Sequence, residues 1–160
     1  MGPSGSGKST VGAALATLLG AVFIDGDDLH PAANVAKMAA GIPLDDDDRM
    51  PWLRAVGEAL SAHEDVVVAC SALKRSYRDL IRSVAPDAYV AELAVARSEL
   101  EKRMRSRGEH FMPASLLDSQ LETLEPLDAD ERGVRIGETA GVEEAAAAIA
   151  DAAGRAQSLR

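Results

Sequence analysis

The stretch Gly2-Pro3-Ser4-Gly5-Ser6-Gly7-Lys8-Ser9 fills every fixed position of the pattern G-x-x-x-x-G-K-[ST]. Glycines at these places let successive backbone N–H groups turn toward one anion, and the helix that follows adds its positive N-terminal end. In a nucleotide reading, Gly2, Ser4, Gly5, Ser6 and Gly7 cradle the phosphates. Lys8 then bridges the β- and γ-phosphates, and the Ser9 hydroxyl holds Mg²⁺. The bland alternative is a flexible Gly/Ser-rich tail. Such a tail does not explain Lys-Ser directly before the amphipathic run from Lys8 to Leu19, whose Val11, Leu15 and Leu18 share a face ahead of Gly20. The pattern normally follows a strand, and here only Met1 precedes it, so the first strand of the sheet is expected to be truncated.

Outward from this loop, short apolar runs alternate with helical stretches, the pattern of an α/β protein with a parallel sheet. Ala21 to Ile24, Val66 to Cys70, Ala88 to Leu93 and Gly133 to Ile136 read as strands. The run Val66-Val67-Val68 is apolar on both faces, as a strand covered by helices on both sides must be. Pro31 can open a helix that Gly41 and Pro43 close, and Pro51 another carrying Trp52, Val56 and Leu60. Further helices are expected from near Ser71 to Val84, from the capping-box pattern Ser98-Glu99-Leu100-Glu101, from Pro113 to Leu124, and from Glu143 to Ala153. These expectations add up to an α/β three-layer sandwich of the phosphate-loop type, one unit over residues 1–160, with a helical lid at about 98–124.

Composition narrows the classes. The 160 residues carry 17 Lys+Arg against 26 Asp+Glu, a net charge of −9, with 47% hydrophobic and 3% aromatic content. That is a globular composition whose core must come from Ala, Val, Leu and Ile. The acidic balance, without a basic and aromatic surface, argues against nucleic acid as a partner. No apolar run reaches the ~18 residues of a membrane span. Cys70 is the single cysteine, so neither an internal disulfide nor a Cys-based zinc site is available. A reduced, cytoplasmic protein is the expectation. His30, His63 and His110 lack the spacing of a metal site.

The acidic groups suggest the second half of a site. Asp25-Gly26-Asp27-Asp28 ends a predicted strand, where open α/β sheets place ligands. One carboxylate there can take a proton from a hydroxyl, and another can orient Mg²⁺ through water. A polar turn is the plain alternative. Val66 to Cys70 ends without a Walker B acid, and no Asn-Lys-x-Asp signature occurs, which argues against a GTPase switch or a motor ATPase. Asp45-Asp46-Asp47-Asp48 reads as a solvated loop or a helix cap, although it could also turn Arg49 toward an anion. Arg103 and Arg107, four apart, read equally as a solvated face or as arginines that close over a nucleotide.

Together these segments resemble the small phosphate-loop gluconokinases, related more distantly to shikimate kinase. Gly2–Thr10, Asp25-Gly26-Asp27-Asp28-Leu29-His30-Pro31, Asn34 with Lys37-Met38, Gly41–Leu53, Cys70–Arg78, Arg103–Phe111 and Ser119–Pro126 carry the likeness over nearly the whole chain. The resemblance implies ATP- and Mg²⁺-dependent phosphorylation of D-gluconate at its 6-hydroxyl, with a homodimer typical of the family. It implies Asp27 beside the accepting hydroxyl and Arg49 as a clamp on the substrate carboxylate, with His30 and Lys74 as further substrate residues. It also implies Asp25 beside Ser9 at the metal, Thr10 in the nucleotide cradle, and Arg103 and Arg107 in the lid, with Lys8, Asp27 and Arg103 carrying the chemistry.

Overall fold

The computed structural model describes residues 1–106, 114–137 and 141–158. In chain order the elements are α1 (Lys8–Leu19), β1 (Val22–Asp25), a 3₁₀ turn (Gly26–Leu29), α2 (Ala32–Ala39), α3 (Asp46–Ser61) and β2 (Val66–Ala69). They continue with α4 (Arg75–Val84), β3 (Val90–Leu93), α5 (Arg97–Ser106), α6 (Ala114–Thr123), β4 (Gly133–Ile136) and α7 (Val142–Ser158).

The strands form two parallel pairs. β1 pairs with β2 in the register Val22 to Val66 through Asp25 to Ala69, and β3 pairs with β4 from Val90–Gly133 to Leu93–Ile136. Met1 and Gly2 join the pairs: the Met1 ammonium donates to the Ala91 carbonyl, Leu93 N–H donates to Met1 O at 2.9 Å, and Gly2 N–H donates to Ser71 O at 3.3 Å. Those two residues lie between the two strand pairs, and the phosphate loop starts directly from them.

The layers follow from strand alternation. Val67 packs toward a cluster of Val11, Leu15, Leu93, Ile136, Ala146 and Ile149, under α1 and α7. Its neighbour Val68 packs toward Trp52, Leu53, Val56, Cys70, Tyr77 and Ile81, under α3 and α4. Successive residues of one strand therefore serve opposite cores, which makes three layers. Trp52, Leu53 and Val56 are at most 1% exposed, and full burial of such side chains stabilises by about 1.5–3 kcal/mol each. At Gly57 a Cβ would stand 2.8 Å from that of Val84, so glycine sets how closely α3 approaches α4.

Helix starts depart from the sequence reading in three places. Pro51, the expected opening of α3, lies inside a helix that begins at Asp46. The reason is a reciprocal cap in which Asp48 N–H donates to Asp45 at 2.8 Å and Asp45 N–H donates to Asp48 at 3.1 Å. α4 starts at Arg75 rather than near Ser71, because Ala72 sits at φ +38°, outside helical backbone. α5 starts at Arg97, with Glu99 and Leu100 N–H donating to Ala96 O, so Ser98 lies within the helix. Glu101 accepts from Arg97 Nε at 2.8 Å instead of completing a capping box.

Candidate active site

The phosphate loop keeps its expected geometry. Gly5 and Gly7 hold φ +81° and +93°, a conformation in which L side chains are strained, and Gly7 caps α1. Ser6 is buried and its hydroxyl has no partner among the described residues. Lys8 Nζ donates to Pro3 O at 3.0 Å, folded across the loop it is expected to serve. Ser4 N–H donates to Gln120 Oε1 of α6 at 2.7 Å, a contact between residues 116 apart in sequence.

At the end of β1, Ser9 Oγ donates to Asp25 Oδ2 at 2.7 Å, and Asp27 N–H donates to the other Asp25 oxygen at 3.1 Å. Hydroxyl and carboxylate oxygens at one point suit a hard cation such as Mg²⁺, with water completing its shell. Among the described residues no cluster of three His, Cys, Asp or Glu could hold a metal unaided. Burial raises the Asp27 carboxyl above its ordinary value, and the nearby Lys8 ammonium opposes that rise. The phosphate lysine, the Ser9–Asp25 pair and Asp27 thus come together at one strand end.

Two cavities carry further candidate residues. One, of about 480 Å³, is lined by Gly5, Ser6, Gly7, Thr10, Glu99 and Arg103 together with Val95 and Val142. Arg103 Nε donates to Glu99 at 3.0 Å. Arg107, the other lid arginine, lies outside the described residues. The second cavity, of about 510 Å³, is lined by Leu44, Asp45, Asp46, Asp47, Arg49, Lys74, Tyr77 and Thr123. Arg49 Nε donates to Leu44 O at 3.2 Å, and its guanidinium carbon lies 5.8 Å from the Tyr77 ring centroid. Lys74 Nζ lies 5.3 Å from the same centroid and donates to both Asp46 oxygens at 2.8 and 2.9 Å. The Tyr77 hydroxyl also donates to Asp46. Hydrogen bonds from Lys74 and Tyr77 hold the Asp46 carboxyl below its ordinary range.

His30 sits between these groups. Its ring stacks on Trp52 at 4.2 Å and 11°, while the Trp52 indole donates to Gly26 O at 2.7 Å. Burial, with Arg49 adding to it, pushes the His30 pKa down to about 4. The structure therefore brings Arg49 and Lys74 to one cavity, with Arg49 close enough to His30 to act on its ring. Sequence reading gives no separate role to Asp46, one aspartate in a capping run, or to Tyr77, an inward-facing helix residue. It also has no signal for the contact of Gln120 with Ser4.

A family profile described as an AAA domain matches residues 1–127. The chain is 46% identical over 138 residues to the thermosensitive gluconokinase of Escherichia coli strain K12, covering 84% of this chain and 74% of that protein. It is 48% identical over 140 residues to the gluconokinase of Gluconobacter oxydans strain 621H, covering 85% of this chain and 79% of that one. The chain belongs to the gluconokinase family. The crystal structure of a gluconokinase from Sinorhizobium meliloti 1021 superposes on this family member with a TM-score of 0.88 at 50% identity, covering 99% of this chain and 92% of that one. The alternation of helices and parallel strands is therefore the phosphate-loop kinase fold. Among the described residues no helix is long and apolar enough to cross a membrane.

Proposed function

We propose that this gluconokinase-family enzyme transfers the γ-phosphoryl group of ATP to the 6-hydroxyl of D-gluconate, giving 6-phospho-D-gluconate and ADP. The observation that carries the reading is the convergence of Lys8, Ser9, Asp25 and Asp27 at one strand end, together with a separate cavity lined by Arg49 and Lys74. The bond between the γ-phosphorus and the bridging oxygen breaks toward ADP, and a bond to the gluconate oxygen forms. The hydroxyl proton goes to the Asp27 carboxylate. Lys8 exchanges its contact with Pro3 O for phosphate oxygens, and Ser9 with Asp25 would hold Mg²⁺. That ion, when bound, neutralises charge on the β- and γ-oxygens. Arg103, on the wall of the nucleotide cavity, supplies a further cation.

A primary hydroxyl is a poor nucleophile, so positioning and charge neutralisation must supply most of the rate. Arg49 and Lys74 offer two cations to the substrate carboxylate in a protein of net charge −9. A reduced cytoplasmic setting agrees with a buried Cys70 whose thiol is pushed up to about 11 by burial, leaving almost no reactive thiolate.

A coupled ADP-release assay with ATP and Mg²⁺ tests the reading, comparing D-gluconate, shikimate and no acceptor. Turnover should depend on gluconate. Shikimate-dependent turnover, or equal ADP release in all three arms, would overturn the substrate assignment. Arg49→Ala should raise the KM for gluconate by about 10–100-fold, the loss of a charge-assisted hydrogen bond of about 1.5–3 kcal/mol. KM for ATP should stay near wild type. A defect confined to ATP would place Arg49 on the nucleotide side.

A further inference from the structure

Asn34 of α2 is 3% exposed, and its amide lies between a carbonyl and an imidazole. One side-chain atom is 2.8 Å from the Asp48 backbone oxygen. A carbonyl oxygen only accepts, so that atom is the amide nitrogen Nδ2 and the orientation of the group is fixed. The same nitrogen is 3.3 Å from His30 Nδ1. With one amide hydrogen used by Asp48, the second points at Nδ1, which must present a lone pair. The proton of the neutral ring is then on Nε2.

Stacking on Trp52 fixes the plane of the ring, and Asn34 fixes which nitrogen carries hydrogen. The charged surroundings favour the neutral form. Arg49 of α3 is a cation acting on the ring. Asp48 of α3 is already charge-paired, both its carboxylate oxygens accepting from Lys37 Nζ of α2 at 2.6 Å. Asp27 and Asp28 lie on the turn that His30 itself caps. Among the described residues no protein group takes Nε2.

We propose that Asn34 is a positioning residue that locks His30 as the neutral Nε2–H tautomer, so that Nε2–H donates a hydrogen bond to a hydroxyl oxygen of the acceptor. This rests on the gluconate reading above. A neutral donor suits a polyhydroxyl chain, and it leaves the substrate carboxylate to Arg49 and Lys74. Imidazolium would place a second charge beside Arg49 and turn an N–H against the Asn34 amide, donor against donor.

The test is ¹⁵N NMR of histidine-labelled protein, with the His30 signals assigned by their loss in His30→Gln. From about pH 6 to pH 8 the wild-type ring should show Nε2 protonated and Nδ1 bare, and adding D-gluconate without ATP should shift Nε2. In Asn34→Asp the new carboxylate accepts instead of donating. The proton should move to Nδ1 or the ring should charge, KM for gluconate should rise about tenfold, and KM for ATP should hold. An Nδ1–H tautomer or an imidazolium in the wild type at neutral pH overturns the proposal. So does an Nε2 signal that gluconate leaves unmoved in an enzyme that turns gluconate over. Should Asn34→Asp fail to fold, Asn34→Ala replaces it, and an unchanged tautomer with an unchanged KM for gluconate there also overturns the proposal. Absence of gluconate turnover in the wild type would count against the substrate reading alone, since the tautomer is read without it.

Discussion

Asp27→Asn is expected to lower kcat for gluconate phosphorylation by about a thousandfold, within the ~10²–10⁴ that a positioned acid–base group contributes, and to change KM for ATP by no more than about twofold. The substitution keeps the shape of the side chain and the backbone N–H bond of residue 27 to Asp25 but removes the carboxylate proposed to accept the proton. Burial sets the direction of the pH response. It makes Asp27 a stronger base than an exposed aspartate and raises its carboxyl above the ordinary 3.8, against the pull of Lys8. As pH falls through that raised value the carboxylate is protonated and the rate drops. The acidic limb of the kcat/KM profile is therefore expected above the ordinary aspartate value of 3.8 in the wild type and should be missing from the variant. His30, pushed down to about 4 by burial, titrates below neutrality as well, so the limb belongs to Asp27 only where the substitution removes it. Asp27→Glu, which restores a carboxylate one methylene longer, should recover part of kcat. A kcat for Asp27→Asn within about threefold of wild type would take Asp27 out of the proton transfer.

The sequence is most legible where local physics decides the structure. The glycines of the phosphate loop, the helix Lys8–Leu19 and the strand Gly133–Ile136 lie where composition and periodicity place them. Val66–Ala69 is legible because a strand covered on both faces must be apolar on both. Errors come where a tertiary or capping contact outweighs a local signal. Pro51 is a strong helix-start residue, but the reciprocal cap of Asp45 and Asp48 wins, and the aspartate run forms the first turn of α3. The start of α4 moves because Leu73 O accepts from Glu125 N–H at 2.8 Å and Glu125 accepts from Arg75 N–H at 2.6 Å, which pins the 71–74 loop. The same limit applies to the site. Lys8, Ser9, Asp25 and Asp27 are legible because motif and strand end are short-range features. Asp46, Tyr77 and Gln120 are not, since their contacts in the site region span 28, 31 and 116 residues and no spacing rule connects them.

That pinned loop depends on one buried ion pair, and breaking it should cost several kcal/mol, more than the loss of a single exposed salt bridge such as Lys74–Asp46. The Arg78 and Glu131 side chains are 0% and 1% exposed, and Arg78 Nε donates to Glu131 at 2.7 Å. Arg82 donates to the same carboxylate at 2.8 Å. The remaining Arg78 hydrogens go to the carbonyls of Leu73 at 3.3 Å, Glu125 at 3.0 Å and Pro126 at 3.3 Å. One guanidinium therefore ties the residue before Lys74 to the segment after α6. The Arg78 hydrogen bond, aided by Arg82, lowers the Glu131 carboxyl from 4.5 to about 2, so its ionised form favours the folded state. Because the folded value is the lower one, this stability is fully present above about pH 4.5 and is lost as pH falls toward about 2. Glu131→Gln leaves Arg78 buried without a counter-charge, a change that costs about 3–5 kcal/mol. The expected result is a Tm lower by about 10 °C at neutral pH and a shallower loss of stability over the acid window. Thermal unfolding followed from neutral pH to about pH 3 measures both. If the variant unfolds within about 1 kcal/mol of wild type, desolvation offsets the attraction in the pair, and the 71–74 loop is held by its backbone contacts with Glu125 instead.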